Sequence, residues 1–243
     1  MKLTGKVALV TGSAKRLGKA IALGLAGAGA NIVLHYHTSA QAAAVTADEI
    51  RRLGVEAAQI QGDLSVPTQA EGIVAEAAAV WGRLDILVNN AAILHRTPLG
   101  TVTETQWNAL LNTNLRGPFF CAQRAAEEMR KTGGGVIINF TDTGVDIAWR
   151  DYTPYLISKA GVEMMTYGLA KELAPEVRVN AIAPGPVLLE DGHTAQERDH
   201  FIQNTLLKRL GGADSIVEAV LYLVQAEFVT GVVLRVDGGQ RWR

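Results

Sequence analysis

Short apolar runs rich in β-branched residues alternate with longer stretches of helical periodicity along the whole chain. This alternation constrains the fold more than any other feature. Strands that are apolar on both faces must be covered on both faces, and crossover helices between parallel strands do that. Strands are expected at 7–10, 32–36, 57–61, 86–89, 136–140, 177–182 and 232–236. Helices are expected near 17–28, 40–53, 67–80, 105–131, 153–173 and 213–225. The pattern predicts an α/β protein: one doubly wound Rossmann-type domain over 1–243, with a central, mostly seven-stranded parallel sheet. With 243 residues, 48% of them hydrophobic, the chain can fill one such core. The segment 187–211 is more polar and less regular than its flanks and follows a strand end, so it is a candidate substrate lid.

The formal net charge is −1, which argues against a nucleic-acid or membrane-surface partner and for a small-molecule substrate. No apolar run approaches the roughly 20 residues of a membrane span. Met1-Lys2 leads directly into a strand-like run, so no signal peptide is expected, and a cytoplasmic protein is the simplest expectation. Cys121 is the only cysteine, which leaves no internal disulfide and no zinc cluster; no metal site is expected.

The first expected strand runs into Thr11-Gly12-Ser13-Ala14-Lys15-Arg16-Leu17-Gly18. Glycines in such a turn let the backbone approach a pyrophosphate, and the following helix points free N–H groups at it. Gly12 and Gly18 keep the outer positions, while Arg16 stands in the middle one. A glycine turn alone is a weak signal, but its place at the end of the first strand strengthens it. The second strand ends His35-Tyr36-His37-Thr38-Ser39, without the acid that holds the ribose hydroxyls of NAD. A carboxylate there would oppose the 2′-phosphate of NADP by about 4 kcal/mol per unit charge pair at an effective dielectric of about 20. Lys15, His37, Thr38 and Ser39 suit that phosphate, so NADPH is the expected cofactor. The ordinary place of the two histidines is a surface strand end, and their spacing makes no metal site.

Far downstream, Tyr155 and Lys159 stand four apart in an expected helix and share one face. A nearby ammonium is expected to lower the phenol's pKa from about 10, giving a proton donor that cycles near neutral pH. Such a pair alone arises easily by chance.

Taken together, the chain resembles the short-chain dehydrogenase/reductase family over essentially its whole length. The resemblance rests on Thr11-Gly12-x3-Arg16-x-Gly18, Asp63-Leu64, Asn89-Asn90-Ala91, Asn112-Thr113-Asn114, Tyr155-x3-Lys159 and Pro184-Gly185. It implies that Asp63 and Leu64 contact the adenine, that Asn90 and Ala91 line the cofactor, and that Ser13 and Leu17 belong to the phosphate turn. It also implies that Asn114 holds a water in a proton relay, Tyr155 donates the proton, Lys159 binds the nicotinamide ribose, and Pro184 and Gly185 lie against the nicotinamide. A homotetramer is implied too, with the helices near 105–131 and 153–173 at one interface.

Asp142 stands thirteen residues before Tyr155, where most members carry serine. Asp142, Lys15-Arg16-Leu17-Gly18, the His35 to Ser39 segment and Tyr152-Thr153-x-Tyr155 resemble pteridine reductases and dihydromonapterin reductases. In those enzymes the arginine of the turn reaches the pterin, and the aspartate joins the tyrosine in proton delivery. Carbonyl reduction builds negative charge on oxygen, and removing a donor to such an oxygen costs about 2.7–4 kcal/mol. An ionised aspartate repels that oxygen, but a carboxyl group suits the nitrogen of a C=N bond. The chain departs from these enzymes after Asn90-Ala91, where Ala92-Ile93-Leu94-His95 offers no stacking ring, and Thr38 replaces a usual arginine. Trp149 and Trp242 are rings available elsewhere, although packing is the ordinary role of both.

The preferred expectation is NADPH-dependent reduction of a dihydropteridine-type C=N bond, in dihydromonapterin, dihydrobiopterin or dihydrofolate. Asn114, Asp142, Tyr155 and Lys159 would be catalytic, with Arg16, Leu94, Tyr152, Asp142 and Tyr155 at the substrate. One alternative is a carbonyl reductase of the 3-oxoacyl-[acyl-carrier-protein] reductase type. Another, of a different class, is a sensor that binds NADP without turnover.

Overall fold

The computed structural model describes residues 1–189 and 192–243. Its strands are β1 (Val7–Val10), β2 (Asn31–Tyr36), β3 (Ala57–Gln61), β4 (Ile86–Asn89), β5 (Gly135–Phe140), β6 (Val177–Pro184) and β7 (Val233–Val236). They form one seven-stranded sheet in the order β3-β2-β1-β4-β5-β6-β7, and every neighbouring pair is parallel. The order reverses between β1 and β4. Doubly wound sheets take ligands at this switch point, over the carboxyl ends of the strands.

The helices are α1 (Arg16–Gly27), α2 (Ala40–Arg51), α3 (Pro67–Val80), α4 (Glu104–Leu111), α5 (Gly117–Lys131), α6 (Gly144–Ile147), α7 (Thr153–Leu173), α8 (Ala195–Gln203) and α9 (Gly212–Gln225). Alternate side chains of each strand feed opposite layers. Ala8 and Val10 of β1 join Ile21 and Leu25 of α1 and Val220 and Leu223 of α9. Val7 and Leu9 join Ile73 and Val74 of α3, Met129 of α5 and Leu173 of α7. Strands β1, β4 and β5 are therefore buried at every residue, and each fully buried Val, Leu or Ile side chain contributes about 1.5–3 kcal/mol.

Three expectations need correction. The helix expected over 105–131 is α4, a π-helical turn at Asn112–Arg116, and α5. Pro118 has no N–H to return to the carbonyl of Asn114, which favours the wider turn there. Helix α6, just after β5, was not expected; it ends at Ala148 in the left-handed region, φ 60°. The irregular segment 187–211 contains α8, which buries none of its residues. Its start is closed by a reciprocal cap: Glu197 N–H donates to Thr194 Oγ1, and Thr194 N–H donates to Glu197 Oε2. Positions 190 and 191 of the expected lid lie outside the described residues. Among the described residues, no helix is long and apolar enough to cross a membrane.

Candidate active site

The turn after β1 is built to keep a helix terminus open. Lys15 caps α1 without a side-chain hydrogen bond, and no acid occupies the first turn, so the terminal N–H groups stay free for an anion. Gly12 has φ 63°, and a Cβ there would lie 3.0 Å from Ala91 Cα. A Cβ on Gly18 would lie 2.3 Å from the Gly12 carbonyl oxygen. Arg16, in the middle position, also takes a left-handed conformation, φ 53°, the kind glycine adopts freely. Lys15 and Arg16 are exposed, and Arg16 Nη2 donates to the carbonyl of Leu189 at 3.3 Å, where the expected lid begins.

Thr11 and Asn90 fasten this turn to β4. Asn90 and Ala91 both donate their backbone N–H to Thr11 Oγ1, and Asn90 Nδ2 donates to the carbonyl of Thr11 at 2.8 Å. The Asn90 amide thus shapes the cradle from beneath. Ser13 is buried, and its hydroxyl donates to the Val10 carbonyl at 2.7 Å. Leu17 packs against the core beside α1, and Leu64 is buried.

At the end of β2, His37 and Thr38 are exposed, and Ser39 caps α2 without a side-chain bond. His35 does not lie on the surface: it is buried, with both ring nitrogens facing backbone groups of neighbouring loops. Asp63, after β3, is held below the usual carboxylate range; burial pushes it up, but bonds from Ser65 and the nearby histidines outweigh that.

Asp142, Tyr155 and Lys159 meet over the ends of β5 and β6. Tyr155 Oη donates to Asp142 Oδ2 at 2.7 Å, and the Gly144 N–H donates to Asp142 Oδ1 at 2.7 Å. Asp142 therefore faces the Tyr155 hydroxyl. Burial pushes its carboxyl up, against the pull of Tyr155, Gly144 and Lys159. Lys159 Nζ is buried, donates to the Phe140 carbonyl at 2.9 Å and lies 5.8 Å from the Tyr155 ring centre. Burial brings it down to about 8.

The electrostatics overturn one sequence expectation. The phenol of Tyr155 is raised, not lowered, first by burial and then by the charge and hydrogen bond of Asp142. The carboxylate touches the hydroxyl, whereas the ammonium is turned to a backbone carbonyl, so the nearer charge wins.

Asn114, in the π-helical turn, is buried. Its Oδ1 accepts from Ile93 N–H at 2.8 Å, and its Nδ2 donates to the Ile93 carbonyl at 2.9 Å and to Ser158 Oγ at 3.2 Å. It pins the segment after β4 to α7. Leu94 is exposed, while the Trp149 ring lies parallel to Tyr155 at 6.3 Å and edge-on to Tyr152 at 6.1 Å. The Thr143 hydroxyl donates to the Pro184 carbonyl at 2.9 Å, and Gly185 N–H to Val236, which sets the floor of the site. Two cavities, about 440 and 540 Å³, lie around the segment after β6, and neither is lined by Tyr155 or Asp142. The bonded side chains, not these voids, locate the chemistry.

Sequence reasoning named Thr11 and Trp149 without their roles: it missed the bonds of Thr11 to Asn90 and Ala91, the buried bridge of His35 and the stacking of Trp149 on Tyr155. It also missed an ion-pair clamp: Arg235 of β7 binds Asp146 of α6 through two 2.9 Å bonds and Glu163 of α7 at 3.2 Å. For Thr11, His35 and Arg235 no local pattern shows the partner, because it lies far away in the chain.

With this geometry, residues 12–241 match a family model described as enoyl-(acyl carrier protein) reductase. The chain is 33% identical over 244 residues to a 3-oxoacyl-[acyl-carrier-protein] reductase of Staphylococcus aureus, covering 98% of this chain and 99% of that one. It is 36% identical over 248 residues to an uncharacterized oxidoreductase of Methylorubrum extorquens, covering 99% of each. A solved structure assigned as a short-chain alcohol dehydrogenase from Sinorhizobium meliloti 1021 matches with a TM-score of 0.93 at 32% identity, over 98% of this chain and 97% of that one.

Proposed function

The chain belongs to the short-chain dehydrogenase/reductase family of oxidoreductases, and we propose that it reduces the C=N bond of a dihydropteridine-type substrate with NADPH. The observation that carries the substrate class is the 2.7 Å bond from Tyr155 to Asp142. A carbonyl oxygen gains negative charge on reduction and needs donors. Asp142 instead occupies the Tyr155 hydroxyl as its hydrogen-bond acceptor and adds negative charge of its own. An imine nitrogen becomes cationic on protonation, so the same carboxylate attracts it.

The cofactor fits the chain's own groups. The cradle around Gly12 and Gly18 has no room for side chains, the α1 terminus is uncapped, Lys15 and Arg16 are exposed cations, and no acid ends β2. Gly12, Ser13, Lys15, Arg16, Leu17 and Gly18 would hold the pyrophosphate, with His37, Thr38 and Ser39 at the 2′-phosphate. When bound, the reduced nicotinamide supplies hydride. Tyr155 and Asp142 hold the accompanying proton between Oη and Oδ2, and Arg16 reaches toward the lid over the substrate. Preference for NADPH is tested by titrating both cofactors; equal or tighter NADH binding sinks it.

A second reading, carbonyl reduction of a 3-oxoacyl thioester, is favoured by the name of the Staphylococcus relative. That name speaks for this alternative more directly than the comparisons speak for a pterin, and the exposed Leu94 in place of a stacking ring agrees with it. A sensor without turnover does not account for the assembled Tyr155, Asp142 and Lys159. NADPH oxidation with a dihydropterin, a cyclic imine and a 3-oxoacyl thioester separates the readings. Turnover of the thioester alone moves the assignment to the second, and failure of all three favours the sensor.

We further take the chain to be one NADP-binding domain with 187–211 as its lid, working in the cytoplasm as a homotetramer. Exposed Phe119 of α5 and Ile157, Met164 and Tyr167 of α7 support one interface. A monomer in light scattering at micromolar concentration counts against it.

A further inference from the structure

His35, buried on β2, joins two loops through one ring. Its Nδ1 lies 3.2 Å from the Gly12 backbone N–H, and its Nε2 lies 3.1 Å from the Gly62 carbonyl oxygen. The first contact needs a lone pair on Nδ1, and the second needs a proton on Nε2. Only the neutral Nε2–H tautomer satisfies both. The His35 carbonyl also accepts from Ser13 N–H at 3.0 Å. One residue thus ties the pyrophosphate cradle to the turn that carries Asp63 and Leu64.

We propose that His35 is a positioning residue for the dinucleotide: its neutral ring sets the glycine turn, and its protonation releases that turn, so cofactor affinity falls in mild acid. The proposal rests on the reading that this turn holds NADP. A protonated ring would place a second N–H against the Gly12 N–H, two donors with no acceptor between them. Gly12 has little room to yield, because it is packed against Ala91. Burial drives His35 below its ordinary value, which the Gly62 carbonyl partly offsets; His37 lowers it and Asp63 raises it. Those two are the titratable groups that face it, one from the end of its own strand and one from the turn after β3. Unfolded, the ring takes up a proton near pH 6.5. Folded, it does so only at lower pH, so stability falls as pH drops from about 6.5 toward the folded value and levels off below it.

The test is the dissociation constant of NADP⁺, measured by calorimetry from pH 8 to 5 for wild type, His35→Asn and His35→Gln. Either amide can supply an acceptor that does not titrate. The 2′-phosphate, with a pKa of about 6, titrates with all three proteins, so only differences between the profiles report His35. Wild type is expected to lose more affinity than the better variant between pH 7.5 and 5.5, by a factor that stays below about tenfold because the folded ring titrates below about 6.5. The melting temperatures of the cofactor-free proteins should diverge in the same direction. Parallel profiles overturn the proposal. Should neither variant fold, nitrogen NMR of histidine-labelled wild type decides: a protonated Nδ1 at pH 7.5, or titration of His35 at or above 6.5, overturns it. Folded wild type that shows the expected tautomer and acid melting, yet binds no NADP⁺ at pH 7.5, sinks the NADP reading and leaves His35 as the pH-sensitive pin of this turn.

Discussion

Replacing Asp142 with asparagine tests the charge argument at Tyr155. The variant keeps the shape of the side chain and the Oδ1 acceptor for the Gly144 N–H at 2.7 Å. It turns the atom that faces Tyr155 from an acceptor into a donor. Tyr155 then loses a 2.7 Å bond to a buried carboxyl group. Charge-assisted bonds are about twice as strong as neutral ones, so the loss is about 1–2 kcal/mol. Burial and then Asp142 raise the phenol, and the variant removes the second cause, freeing the Tyr155 proton for the substrate. A substrate that becomes cationic loses the attraction of the carboxylate, about 4 kcal/mol at about 4 Å and an effective dielectric of about 20. Imine turnover should therefore fall by about 10²–10³-fold, while carbonyl turnover holds or rises. The assay is kcat/KM for NADPH oxidation at pH 7 with a dihydropterin and with a 3-oxoacyl thioester, with NADP⁺ binding as the control for an intact cradle. Equal losses on both substrates, or an unchanged imine rate, refute the reasoning. Burial brings Lys159 down to about 8 while Asp142 holds it up, so the alkaline limb of the rate profile near pH 8 should move lower in the variant.

Tyr155→Phe should lower turnover by about 10²–10⁴-fold, the usual worth of a positioned acid, and leave NADP⁺ binding near wild type; near-normal turnover in steady-state kinetics would remove Tyr155 from its role. Arg16→Gly should relieve a left-handed conformation that costs about 1 kcal/mol and raise Tm by about 2–4 °C. The same change should weaken NADPH in titrations, and a lower Tm would contradict the strain argument. Arg235→Gln should destabilise the fold by about 1–3 kcal/mol in denaturant unfolding, because Asp146 and Glu163 are left facing each other in a partly buried clamp. Since Arg235 holds Asp146 below the usual carboxylate range, the stability from that pair is present above about pH 3.8 and lost as pH falls through the folded value. A loss of stability that persists in strong acid would point to packing instead.

Much of the architecture was legible because it depends on neighbours in the chain. Apolar, β-branched runs placed every strand within about two residues, most plainly β1 and β4, whose burial at every residue leaves no other pattern. The glycine turn was legible because the close approaches at Gly12 and Gly18 exclude a side chain. Helix α8 was missed, although Thr194-x-x-Glu197 carries its cap signal, because no apolar stripe accompanies it. The π-helical turn at Asn112–Arg116 was missed because helical periodicity does not register one widened turn.

The sequence by itself determined the parallel sheet, the glycine turn after β1, and the placing of Tyr155 and Lys159 on one helix face. These follow from periodicity and from the sterics of single residues. Tertiary structure alone decided which charge governs Tyr155, because a 2.7 Å approach of Asp142 across thirteen residues outweighs an ammonium turned to the Phe140 carbonyl. It alone decided that His35 is buried between Gly12 and Gly62, and that Arg235 clamps Asp146 to Glu163. Charge and burial act through distances in space, and those distances exist only once the sheet has brought its strand ends together.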